Sequence, residues 1–146
     1  MRLQLLSLAL ALCLGSLLPS AARAGAGLPE ITSKNFASTV EGSDELWMLE
    51  FYSDMCGSCK EFKPTFEALA AKFPGIKSGG VNIDDSDGMA LANQLGVLAK
   101  GIPNISLFGK AVKAQGEEYM VVMQGAPQGL GELTATVTEM QKKLGA

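Results

Sequence analysis

The chain has 146 residues, 47% of them hydrophobic, no histidine, and a formal net charge of −3. That length suffices for one compact domain with its own core, and no repeat, low-complexity run or linker sets off a second. The acidic balance argues against nucleic-acid binding, since nothing here would replace phosphate counterions. The missing His removes the usual general base, metal ligand and pH switch.

Residues 1–24 read as a secretory signal peptide. Arg2 supplies a short positive start, Leu5 to Leu18 an apolar stretch interrupted by Pro19, and Ala22-Arg23-Ala24 a small-x-small cleavage pattern. An uncleaved anchor is the alternative, but no run of ~20 apolar residues is present to span a bilayer. A lipoprotein reading of Cys13 fits worse, because Leu12 stands where a small residue should precede a lipidated cysteine. The expected mature domain, 25–146, makes no membrane contact. It holds ten Lys, no Arg, and fifteen Asp and Glu, a net charge of −5, and retains only Cys56 and Cys59 as cysteines.

Along that domain, Pro29 to Thr32 reads as an extended lead-in, and Ser33 as the N-cap of a brief helix through Val40. Leu46 to Tyr52 is apolar throughout except for Glu50, as a strand buried on both faces would be. A helix from Gly57 to about Phe73 carries Phe62, Phe66, Leu69, Ala70 and Phe73 at helical spacing, with Pro64 inside it as a source of a kink. Pro74-Gly75 ends it, and Gly79 to Ile83 is a second strand. Asp84 to Asp87 is a polar loop capping a helix through Leu95. It lacks the spacing and distal Glu of a calcium loop, so it reads as a solvated cap. Gly96 to Gly101 is a loop. Asn104 to Phe108 and Tyr119 to Met123 are two strands joined by a polar turn, and Gly131-Glu132 opens a last helix with Leu133, Val137, Met140 and Leu144 on one stripe. Strands alternating with helices imply parallel pairing, and the final hairpin an antiparallel edge. The fold class is α/β, a mixed central sheet flanked by helices.

Cys56-Gly57-Ser58-Cys59 lies where the first long strand meets a helix. Unpaired N–H groups and the positive dipole end at a helix N-terminus favour a thiolate, so this arrangement suits thiol–disulfide exchange. The pair closes too small a ring to be an effective staple. Two thiolates without further Cys or His cannot close a tetrahedral zinc shell. Copper-transfer sites favour Met-x-Cys-x-x-Cys, and here Asp54 holds the Met position.

In order and in spacing, these features resemble the thioredoxin fold, and more closely one catalytic domain of the protein disulfide isomerase family. The similarity rests on Trp47 to Tyr52 leading into the site, Cys56-x-x-Cys59-Lys60, Pro64, Gly101-Ile102-Pro103 opening a strand, and Gly125 after the hairpin. The resemblance implies Cys56 as attacking thiolate, Cys59 as resolving thiol, and Glu50 as a buried acid exchanging a proton with Cys59. It implies a cis bond before Pro103, with Ile102 pairing its backbone to substrate and Met55, Gly57 and Ser58 completing the substrate surface. Neither cofactor nor metal is implied. The expected partners are cysteine-containing client polypeptides and a redox partner, which glutathione, an oxidase or a reductase would each satisfy. A monomer is expected, in the endoplasmic reticulum lumen or secreted, or in the periplasm of a bacterium. A thioredoxin-like binding module with weak exchange is the alternative function.

Several departures qualify that picture. Met55 replaces an aromatic residue, and Gly57-Ser58 replaces the Gly-His of isomerases and the Gly-Pro of thioredoxins. Without His, one stabiliser of the Cys56 thiolate is gone, and a less oxidising pair is expected. Gly80 stands where thioredoxins carry a lysine near the buried acid, and no Arg remains to approach the site, so slower proton handling is expected. Trp47 reads as core packing, and Lys142-Lys143 as a cap on the last helix. The Asn104-Ile105-Ser106 sequon lies on a strand beside Pro103 and is expected to be unused.

Overall fold

The apolar run before the cysteines becomes strand β1 (Trp47–Tyr52), an inner strand of a four-stranded sheet. The computed structural model describes residues 27–145, so the expected signal peptide lies outside the described residues. Helix α1 (Gly57–Lys72) follows β1, then β2 (Lys77–Asn82), α2 (Ser86–Gln94), β3 (Asn104–Phe108), the short α3 (Lys110–Lys113), β4 (Met120–Gln124) and α4 (Leu130–Leu144). The strand order is β2-β1-β3-β4. β1 and β2 are parallel, while β1–β3 and β3–β4 are antiparallel.

Successive side chains of a strand point to opposite faces, and β1 uses both. Met48 joins Phe62, Phe66 and Leu69 of α1 and Leu133 and Val137 of α4 in one core cluster. Trp47, Leu49 and Phe51 face the other way, toward Leu91 and Ala92 of α2 and Phe36 and Val40. The alternation puts Glu50 on the α1 side of the sheet.

Three expectations need correction. Ser33 caps no helix: Asn35 Oδ1 accepts the Thr32 N–H at 2.9 Å, and the helical segment begins later, as a π-helical turn over Ala37–Glu41. The second strand starts at Lys77, because pairing with Trp47 and Met48 extends it past the glycines. The turn between the last two strands contains α3, whose Val112 is buried in the core.

A further strand-like contact comes from the N-terminal segment. Gly80 N donates to Pro29 O (2.9 Å) and Ile31 N to Gly80 O (2.7 Å), laying residues 29–31 along β2. Glycine is needed there for close approach: a Cβ on Gly79 would stand 2.9 Å from Ile31 Cγ1, and one on Gly80 3.0 Å from the Tyr52 ring. Among the described residues no helix is long and apolar enough to cross a membrane.

Candidate active site

Residues 53–56 leave β1 and turn directly into α1. Cys56 is the N-cap residue of that helix, with extended backbone (φ −89°, ψ 112°), and its sulfur accepts the Cys59 N–H at 3.2 Å. Ser58 Oγ lies 3.3 Å from the same sulfur. Two donors therefore converge on Cys56 Sγ at the positive end of α1, and both favour negative charge there. The Ser58 hydroxyl supplies, without a charge, part of what an imidazolium at that position would supply. Cys56 and Cys59 are joined as a disulfide, Cα–Cα 5.2 Å. Cys56 is partly exposed, while Cys59, one turn into the helix, is only 3% exposed.

Behind Cys59 lies a cavity of about 150 Å³, lined among others by Glu50, Tyr52, Lys60, Lys63, Glu67 and Gly80. Glu50 is 5% exposed, and its Oε1 is buried with no hydrogen-bond partner. Burial disfavours the carboxylate and pushes the Glu50 pKa from 4.5 up to about 7, against the opposing charge of Lys63 and with a smaller push from Glu67. The acid thus titrates near neutrality in the same cavity that Cys59 lines.

The loop before Cys56 is held from the β2–α2 side. Asp84 Oδ1 accepts from Ser53 Oγ and Oδ2 from Asp54 N, both at 2.7 Å, and Ser53 Oγ in turn accepts from Met55 N at 3.0 Å. Asn82 Nδ2 donates to Asp54 Oδ2 at 2.9 Å. Asp84 was read from sequence only as part of a solvated cap. The cap itself is Asp85, whose Oδ1 accepts from Asp87 N and Gly88 N. Among the described residues no group of three or more His, Cys, Asp or Glu is placed to hold a metal ion.

Antiparallel pairing of Phe51 with Asn104 sets the start of β3 at the end of β1 from which the cysteine loop departs. The Ile102–Pro103 peptide bond there is cis. Pro103 O accepts from Gly125 N at 2.9 Å, whereas no backbone hydrogen bond among the described residues involves Ile102. Met55 is 88% exposed, and Gly57 and Ser58 are also exposed. Asn104 is fully buried, its Oδ1 accepting from Ser106 Oγ at 2.8 Å, which leaves no room for a glycan in the folded domain. Residues 27–128 match the family model described as Thioredoxin. The chain belongs to the thioredoxin family.

Several sequence relatives are named protein disulfide-isomerases. The protein disulfide-isomerase A6 homolog of Drosophila melanogaster is 37% identical over 60% of this chain and 20% of its own length. Protein disulfide-isomerase A6 of Mus musculus is 34% identical over 77% of this chain and 24% of its own. The chain thus spans a quarter or less of these relatives. The Trx4 domain of ERdj5 shares the fold with a TM-score of 0.62 at 21% identity, covering 80% of this chain and 96% of that domain.

Proposed function

We propose that this domain is a thiol–disulfide oxidoreductase acting on cysteine-containing polypeptides, with the endoplasmic reticulum lumen as its site of action. The observation that carries the reading is the asymmetry of the cysteine pair. Cys56 Sγ sits at the helix end under two donors, while Cys59 is buried beside the unpartnered carboxyl of Glu50. The location is supported by the signal-like leader and by the disulfide-isomerase relatives.

In the reducing direction the Cys56 thiolate attacks a client disulfide, forming a mixed disulfide and releasing one client sulfur as thiolate. Glu50 then accepts the proton of Cys59 through the cavity. The Cys59 thiolate attacks Cys56 Sγ, closing the Cys56–Cys59 disulfide and releasing the second client sulfur, and both client thiolates take protons from solvent. Oxidation of a client is the reverse. Ile102 offers unbonded backbone groups for strand-like pairing with the client, with Pro103, Met55, Gly57 and Ser58 beside it.

The test is trapping. Cys59→Ser should accumulate a mixed disulfide with a scrambled substrate protein, and Cys56→Ser should accumulate none. The exposed Met55 favours a second reading, a module that binds unfolded chains through apolar contact. That reading stands if Cys59→Ser traps nothing while binding of the unfolded chain persists in Cys56→Ser.

A further inference from the structure

Three residues of α1 that line the cavity, Cys59, Lys63 and Glu67, recur at spacing four and so form one stripe of the helix. The stripe begins at the buried resolving cysteine and runs out to two exposed, oppositely charged side chains. The opposite wall is bare: β2 contributes Gly80, and the Tyr52 ring occupies the space a side chain there would enter. The other ionisable groups around Glu50 are Tyr52 and Asp54 at the end of β1, Glu30 from the N-terminal segment and Lys60 of α1, while β3 places the apolar Ile105 beside it. Glu30 is engaged elsewhere, accepting from Asn82 N and Tyr52 Oη. Lys63 makes no ion pair within 4.0 Å among the described residues, so its charge is not spent on another carboxylate.

We propose that Lys63 is a positioning residue for the resolving step, its ammonium at the cavity mouth favouring the carboxylate of Glu50 and the exit of its proton to solvent. The proposal rests on the oxidoreductase reading above. Lys63 is also the main influence opposing the effect of burial on Glu50, and Glu67, one turn on, acts in the contrary sense. The cation that accompanies the buried acid is therefore carried by the helix bearing the cysteines.

The test follows the Glu50 carboxyl by carbon NMR across pH in the reduced domain. In parallel, it follows resolution of a glutathione adduct at Cys56. Lys63→Met should raise the Glu50 midpoint by about half a pH unit and slow resolution about twofold near pH 7, as the carboxylate fraction falls. Lys63→Arg should restore both, and Glu67→Gln should lower the midpoint. The denaturation midpoint should not change, since Lys63 is exposed. Variants that leave the midpoint and the pH profile unmoved in a wild type that resolves the adduct overturn this proposal alone. A wild type that never resolves the adduct overturns it together with the reading it rests on.

Discussion

Two polar clusters meet at the end of β1, and they are built in opposite ways. On one side Asp84 has both carboxylate oxygens engaged, Ser53 and Asp54 are tied to it, and Asn82 closes the ring. On the other side Glu50 is buried with an unpartnered oxygen facing a cavity. Full pairing fixes the geometry of the loop that carries Cys56. An incompletely paired acid is costly to ionise, and that cost brings its titration near neutrality, where it can both take and give a proton.

Breaking the paired side should have the largest effects on stability. Gly88 packs so closely on β2 that a Cβ would stand 2.0 Å from Asn82 O. Gly88→Ala should therefore cost about 4 kcal/mol in urea denaturation, since backbone, not a flexible side chain, is in the way. Asp84→Ala leaves the Ser53 hydroxyl and Asp54 N–H without their acceptor and should cost about 3 kcal/mol. It should also slow exchange, because the cysteine loop loses its tether.

The unpaired side should respond in the opposite sense. Glu50 has a folded pKa of about 7 against an ordinary 4.5, so between those values the folded state holds a proton the unfolded chain has released. Its contribution is fully present below pH 4.5, declines as pH rises, and is lost above about 7. Glu50→Gln should flatten that decline and stabilise the domain by about 2 kcal/mol at pH 8, while slowing the resolving step. Gly80→Ala, which presses on the movable Tyr52 ring at 3.0 Å, should cost about 1 kcal/mol.

Local pattern made the paired cysteines, the strand carrying Glu50 and the cores of the long helices legible in the sequence, while the cis bond at Pro103 was expected only from the family resemblance. The cysteine spacing, the apolar run around Glu50 and the helical period of Phe62, Phe66 and Leu69 are each contained in a short window. Contacts closed by distant segments were not legible. Asp84 reaches back 31 residues to Ser53, and residues 29–31 add to β2 only because Gly79 and Gly80 admit them. The same holds for Lys63, an unremarkable surface residue of α1 until β1 sets Glu50 in the cavity beside it.

The most direct test of the redox assignment is equilibration of residues 25–146 against glutathione buffers, reading the fraction of Cys56–Cys59 disulfide. The expected result is one two-electron transition at a potential more negative than the ~−180 mV of isomerases, because a neutral Ser58 replaces a cationic neighbour of Cys56. A pair that never equilibrates with glutathione would contradict the assignment and leave a binding domain with an inert disulfide.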